Sequence, residues 1–411
     1  VEHLLPRALR PAAAADPLSL DGPSPASRGA ARAALYVHVP FCAVRCTYCH
    51  FSTAPLEAGQ ADRWLAALER EIDRRAAVAD GTAFTSIFLG GGTPSVLTPR
   101  QVTRVFELLG SRFSIAPGAE ITLEANPESV TAPRLEAWRA AGVNRLSFGA
   151  QSFEPSELKL LGRVHSAERP AAAIERAREH GFERLSIDLM FGWPGHTPDA
   201  FARSVARALS LGVEHLSAYA FIPDRGNPLG DAVLDGRAEV ADDDAQAEMY
   251  ECFLALSADA GLHPYETSNV SRPGAEARHN LTYWLRRDHL GLGPSAHGLW
   301  RGERRANRHG AREWASALEA GEESSESCEF PGDAAVADEI VMLALRLATG
   351  LRLADYGARE RELLDSRYAA ALAAGVAQGR LERTAEGWRI PPPMRFLADD
   401  TIAWLAARAP D

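Results

Sequence analysis

The sequence predicts an α/β fold: a partial (β/α)6 barrel of parallel strands, followed by a small C-terminal α+β domain. Three observations predict it. Six short, apolar, β-branched runs recur between about residues 34 and 221, segments of helical spacing separate them, and a polar run near residues 319–333 sets off a helix-rich tail. Continuous apolar strands alternating with amphipathic helices imply a parallel sheet covered by helices on one face.

The strand runs are 35–39, 86–90, 121–125, 145–149, 185–190 and 216–221. Helical patterns such as Trp64/Leu65/Leu68/Ile72 and Phe201/Val205/Leu209 lie between them. After the sixth run, a helix over 245–260 leads into an irregular, aromatic-rich stretch ending near Gly298. The Ser-, Glu- and Gly-bearing run 319–333 reads as a linker. Beyond it, 339–347 is helical with Gly350 as its C-cap, 379–390 reads as a hairpin turning at Glu386 and Gly387, and 400–407 is a last helix. The expected division is a disordered tail over 1–33, a barrel with an extension over 34–300, and a C-terminal, winged-helix-like domain over 301–411.

Composition narrows the function. A hydrophobic share of 46% and a charged share of 24% are those of an ordinary globular protein, and no run of 18 apolar residues suits a membrane span. A net charge of −11 argues against general nucleic-acid binding, which needs a basic face. The first 33 residues are rich in Ala, Pro, Ser and Gly and carry Arg7, Arg10, Arg28 and Arg32, but no apolar core of a signal peptide. Five cysteines, three of them clustered, do not make a disulfide framework, so the expected compartment is a reducing cytoplasm.

The clustered cysteines carry the chemistry. Cys42, Cys46 and Cys49 have C-x3-C-x2-C spacing directly after the first strand, at the end where barrel active sites lie. Three thiolates on a short loop can each take one corner of a [4Fe–4S] cubane, leaving the fourth iron open to a chelating small molecule. Rival readings are weaker. Cys46-Thr-Tyr-Cys49-His50 matches a haem-attachment pattern, which would require export and would leave Cys42 unexplained. A Cys3His zinc site using His50 would strain a tetrahedral shell with adjacent ligands. Cys252 and Cys328 lack partners at ligand spacing and read as free thiols.

The run Tyr36-Val-His38-Val-Pro40-Phe41-Cys42 through Cys46-Thr-Tyr48-Cys49 resembles the opening of the radical S-adenosylmethionine superfamily. More narrowly it resembles the branch holding oxygen-independent coproporphyrinogen III dehydrogenases and HemW-type haem chaperones. The likeness continues through most of 34–300 and, more faintly, into a HemN-like tail. It implies a [4Fe–4S] cluster, S-adenosylmethionine and, for the chaperones, haem as cofactors.

Candidate ligands fall at successive strand ends. Gly90-Gly91-Gly92-Thr93-Pro94 follows the second strand, Glu124 ends the third, Gln151 follows the fourth with Arg163 shortly after, and Asp188 interrupts the apolar fifth. A carboxylate in such a strand is costly unless it is paired or faces a ligand. Arg145, Arg163 and Arg184 are available for pairing. By resemblance to the dehydrogenase, Tyr36, Gly91, Gly92, Thr93, Glu124, Gln151, Arg163, Asp188 and Ala220 contact S-adenosylmethionine. Tyr48 matches a position that meets a second molecule of it.

Two features separate the branches. The dehydrogenase motif continues with a further cysteine where this chain has Phe51. The chaperone branch carries H-N-x-x-Y-W, here His279-Asn-Leu-Thr-Tyr283-Trp284, in which an imidazole and flanking aromatics suit a haem. His297 is a second imidazole of interest. The reading that follows is a haem chaperone, with oxygen-independent coproporphyrinogen III dehydrogenase as the alternative and no coproporphyrinogen oxidase activity expected. Its implied partners are haem, an apo-haemoprotein acceptor, a low-potential electron donor of the flavodoxin or ferredoxin kind, and a second copy of the chain in a homodimer.

Overall fold

The computed structural model describes residues 31–410. Six strands alternating with helices come first: β1 (Ala31–Val39), α1 (Gln60–Val78), β2 (Thr82–Gly91), α2 (Pro99–Arg112), β3 (Ser114–Ala125), α3 (Ala132–Ala140), β4 (Arg145–Gln151), α4 (Arg169–Glu179), β5 (Arg184–Phe191), α5 (Pro198–Ser210) and β6 (His215–Ala220). Every predicted strand run lies inside one of these, except that Phe221 falls one residue beyond β6. The tail expected over 1–33 lies outside the described residues as far as position 30, and Ala31–Ala33 already belong to β1.

Strands β1 to β6 pair in chain order and all in parallel, the open arc of a partial barrel. Their outward residues, among them Leu35, Val37, Ile87, Leu89, Leu146, Phe148, Ile187 and Leu189, are buried against the helices. Helix α1 supplies Trp64, Leu68 and Ile72 to that core at the spacing of one helical face. Helix α2 starts on a capping box between Thr98 and Gln101, with Pro99 as its first residue. The strands alternate more strictly than continuous apolar runs would. Their inward positions carry Tyr36, Phe88, Glu124, Ser147, Asp188 and Ser217, so the concave face is polar.

The chain then extends both sheet edges. Helix α6 (Asp243–Asp259) leads to β7 (His263–Pro264) and β8 (Asn269–Ser271), which lie antiparallel beyond β6. Helix α7 (Arg278–Trp284) precedes β9 (His289–Leu292), which returns to pair in parallel with β1. Strands β10 (His297–Trp300), β11 (Glu303–Asn307) and β12 (Ser325–Glu329) continue outward, with α8 (Ala311–Glu319) between the last two.

This corrects the expected boundaries. The 300/301 division cuts between two paired strands, since Trp300 lies opposite Glu303. The supposed linker over 319–333 holds β12. Its residues Glu326–Glu329 are exposed, which made it read as linker; a charged outermost strand discourages further pairing. A separate core, including Ile340, Leu364, Tyr368 and Leu405, belongs to α9 (Asp333–Ala344), α10 (Ala358–Ala377), α11 (Ala398–Ala406) and a small three-stranded sheet. Its hairpin turns at 384–386, slightly before the predicted Glu386–Gly387.

Candidate functional site

The cysteine loop is anchored before it reaches the cavity. At its base Phe41 and Cys42 pair with Ala54 and Pro55. Midway, the Thr47 N–H and hydroxyl donate to the carbonyls of Leu161 and Leu160, and the Leu229 N–H donates to the Thr47 carbonyl. Cys42, Cys46 and Cys49, all free thiols, line one cavity of about 370 Å³ at the mouth of the barrel. Burial pushes the Cys42 and Cys49 thiols up, and a contact from the Thr93 hydroxyl (3.6 Å) pulls Cys42 partly back. Among the described residues no three His, Cys, Asp or Glu side chains converge on a single metal ion. A cluster asks for something else, one cysteine per iron at separate corners, and three thiols on one anchored loop fit that demand.

The glycine run packs the loop against the sheet. A Cβ on Gly92 would sit 2.5 Å from the Phe41 carbonyl oxygen, and Gly91 has a φ of 109°. The Gly92 and Thr93 N–H groups donate to the Val39 and Phe41 carbonyls, and the Gly91 N–H donates to Glu124 Oε2 at 3.1 Å. With its donors used inside the protein, the run can offer a ligand only acceptors, which is what an amino group requires.

Glu124 and Asp188 both open onto this cavity, and neither forms a salt bridge among the described residues; Arg145 and Arg184 pair with Glu120 instead. Strand register explains the Asp188 environment. Gly149 and Ser217 lie opposite it on β4 and β6. The Ser147 hydroxyl reaches both its oxygens (3.1 and 3.0 Å), and Ser217 reaches Oδ1 (2.8 Å). Burial raises the Asp188 pKa, and these hydroxyls act against the rise. Glu124 is pushed up to about 8, first by burial and then by Asp188 nearby, with the Gly91 amide opposing. Two unpaired carboxylates facing one cavity are what a cationic or hydroxyl-rich ligand would satisfy.

Arg163 and Arg45 are cations lining the site, and Arg163 is the one bonded into its wall. Its guanidinium donates to Cys46 Sγ (3.4 Å), Asn126 Oδ1 (2.7 Å) and the Gly149 carbonyl. Gln151 has a left-handed backbone (φ 67°), a strained state for a side-chain-bearing residue, at a register shift ending β4. Gln151, Tyr48 and Ala220 also line the cavity, and burial raises the Tyr48 pKa.

Tyr36 is the one predicted S-adenosylmethionine contact that does not line this cavity. The β1 alternation turns it into an adjoining space of about 140 Å³, shared with Glu124 and Asp188, where its hydroxyl meets His38 Nδ1 (3.0 Å). The predicted haem set is likewise not brought together on one open face. His279 is 1% exposed, with Nδ1 on Ser86 Oγ (3.0 Å) and Nε2 on the Tyr283 hydroxyl (2.7 Å), so neither ring nitrogen is free in this conformation. Trp284 turns the other way, into a small core with Tyr265, Leu281 and Leu347. Sequence reasoning missed Asn126, Ser147, Ser217 and Tyr219. The period-2 polar positions on β4 and β6 were the signal for the serines.

The anchored cysteine loop at the mouth of a parallel barrel defines a radical S-adenosylmethionine protein. The profile described as Radical SAM superfamily matches residues 36–208. Heme chaperone HemW of Mycobacterium tuberculosis is 40% identical over 377 residues, 90% of this chain and 94% of that protein. Radical S-adenosyl methionine domain-containing protein 1, mitochondrial, of Mus musculus is 41% identical over 279 residues, 67% of this chain and 62% of that protein. In fold the chain is similar to coproporphyrinogen III oxidase (HemN) of Escherichia coli, with a TM-score of 0.79 at 24% identity over 92% of this chain and 91% of that one. The chain belongs to the HemW family. Among the described residues no helix is long and apolar enough to cross a membrane.

Proposed function

We propose that this chain binds haem and passes it to apo-haemoproteins, and that it carries a [4Fe–4S] cluster on Cys42, Cys46 and Cys49 with S-adenosylmethionine beside it. The observation that carries the reading is the 40% identity, over nine-tenths of the chain, to a protein named a heme chaperone. The anchored cysteine loop and the unpaired carboxylates of the adjoining cavity support the cofactor part. When bound, the cluster supplies an open iron that can chelate an amino acid and deliver an electron. Glu124 and Asp188 offer acceptors to the amino and ribose groups of S-adenosylmethionine, and Gln151 an amide. Arg163 offers a cation to its carboxylate. Thr93, Gly91, Gly92 and Ala220 shape the wall, Tyr48 closes the loop side, and Tyr36 acts from the adjoining space. A low-potential donor such as a flavodoxin or ferredoxin, an apo-haemoprotein acceptor and a homodimer complete the proposal.

Phe51 stands where the dehydrogenase branch continues its cysteine pattern, so decarboxylation is not the expected activity. One preparation tests both halves: anaerobic reconstitution, a haem titration, and a coproporphyrinogen III turnover assay on the same sample. We expect haem binding and no protoporphyrinogen. Sustained turnover without haem binding would overturn the proposal in favour of the dehydrogenase.

A further inference from the structure

Helix α7 is held from two sides. Its inner face belongs to the barrel: the His279 N–H donates to Glu120 (3.0 Å), and the His279 ring meets Ser86 and Tyr283. Its outer face and its exit belong to the C-terminal domain. Leu347 packs with Leu281 and Leu285, and the Arg346 guanidinium lies over the Trp284 ring at 6.0 Å. Arg287 donates to the Asp355 carbonyl and lies over the Tyr356 ring.

The closest of these contacts is an ion pair. Glu339 on α9 accepts from Arg286 Nε at 2.6 Å, and the two side chains are only 15% and 8% exposed. The second Glu339 oxygen takes Arg304 of β11. One carboxylate thus ties the C-terminal domain to the turn after α7 and to the extended sheet.

Backbone geometry indicates that the Arg286 side chain has a task. At the end of α7 the Arg286 N–H donates to the Tyr283 carbonyl and the Arg287 N–H to the Thr282 carbonyl. This is the pairing of a Schellman motif, whose left-handed residue is usually glycine. Helices α6 and α8 close in the same way on Gly261 and Gly321. Helix α7 instead closes on Arg286, at a φ of 53°. A side-chain-bearing residue persists in that region where its surroundings hold it, and here Glu339 holds it.

In this arrangement both His279 nitrogens are occupied. Bringing the ring into open space requires α7 to shift from the barrel, and the Glu339 pair ties its exit against such a shift. We infer that Arg286 and Glu339 form a latch: they position α7, and their separation is the step that lets an iron porphyrin reach the His279 imidazole. The C-terminal domain thereby regulates the haem binding proposed above, and the inference rests on that reading.

The test uses the full chain. Glu339→Gln keeps the shape of the side chain and removes its charge. Its control is Asp338→Asn, one position earlier on α9, which breaks another ion pair, to Arg367 at 2.7 Å, away from α7. Hydrogen exchange of the α7 amides in haem-free protein reads the latch. Ferric haem mixed with the anaerobically reconstituted chain and followed by absorbance reads the access it controls. We expect Glu339→Gln to exchange α7 amides and to acquire the imidazole-ligated spectrum each at least about ten-fold faster, because more of the population is open. Asp338→Asn should match wild type in both, and adding His279→Ala to Glu339→Gln should remove the spectral gain. Arg304→Ala removes the more exposed partner of Glu339 and serves, with the same expected direction, if Glu339→Gln does not fold. Equal α7 exchange in the Glu339 and Asp338 variants would overturn the latch. Faster exchange with unchanged haem association, or a gain that survives His279→Ala, would overturn its control of access while leaving haem binding intact. Absence of haem binding in wild type would overturn the underlying function and this regulation with it.

Discussion

Glu124→Gln separates a ligand-facing carboxylate from a merely structural one. Its Oε2 accepts the Gly91 amide, whereas no hydrogen bond to Oε1 is made among the described residues, and Glu124 lines the cavity. Glutamine keeps an oxygen for Gly91 and removes the charge. If Glu124 accepts a charge-assisted hydrogen bond from S-adenosylmethionine, its loss costs about 1.5–3 kcal/mol, or roughly ten- to hundred-fold in affinity. Stability should move the other way. The folded carboxyl is pushed up to about 8 by burial and by Asp188, so its contribution is fully present below about pH 4.5 and is lost as pH rises towards 8. That rise corresponds to a loss on the order of 5 kcal/mol in a dry cavity, and less where cavity water screens it. The glutamine variant escapes this loss. It should therefore bind S-adenosylmethionine more weakly at pH 9, where the wild-type carboxyl is ionised, with the gap narrowing towards pH 5, yet melt no lower than wild type at pH 9. Equilibrium binding to the reconstituted protein and thermal melts at pH 5 and 9 measure both. Unchanged affinity with an intact cluster, or a Gln variant destabilised at pH 9, would refute the reasoning.

Three further predictions probe other parts of the site. Replacing Cys42, Cys46 or Cys49 with Ser should abolish four-iron reconstitution, while Cys252→Ser and Cys328→Ser retain it; iron and sulfide content per chain decides. Gly92→Ala puts a Cβ 2.5 Å from the Phe41 carbonyl and should cost about 1–3 kcal/mol in a denaturant titration, with poorer cluster retention because the cysteine loop must shift. Gln151→Gly should relieve the left-handed backbone by roughly 1 kcal/mol, offset in part by glycine's unfolded-state entropy, and still weaken S-adenosylmethionine binding. A Gly variant that binds as wild type would make the Gln151 amide irrelevant to the ligand.

The cysteine loop was legible in the sequence because cluster ligation fixes residue type and spacing together. Asp188 was legible because a carboxylate inside an apolar run conflicts with burial. Its satisfaction by Ser147 and Ser217 was not, since that depends on the register of three strands. Tyr36 shows the same limit: an aromatic before the cysteine motif says nothing about which side of β1 it faces. The gathering of His38, His289, His297 and His309 around one cleft was the least legible, because they become neighbours only through the return of β9 to β1. Exposed β12 looked like a linker for an electrostatic reason, as a charged, polar edge strand and a loop have similar composition.

The position of His279 bears on how a shared barrel can serve haem. It sits on α7 and reaches back to Ser86 on β2, stacked on Phe88 at 5.2 Å. Burial holds it neutral, at about 3. To ligate iron it must give up at least one of two hydrogen bonds and leave a buried Ser86 or Tyr283 hydroxyl unpaired, at about 1–3 kcal/mol each, before the ring has moved into open space. In this conformation His279 therefore serves to position its neighbours. It fixes the Tyr283 hydroxyl, and Tyr283 lines both the inner cavity and a neighbouring cleft beside His289 and His297. On that account His279→Ala first frees the Ser86 and Tyr283 hydroxyls and alters the wall that Tyr283 forms.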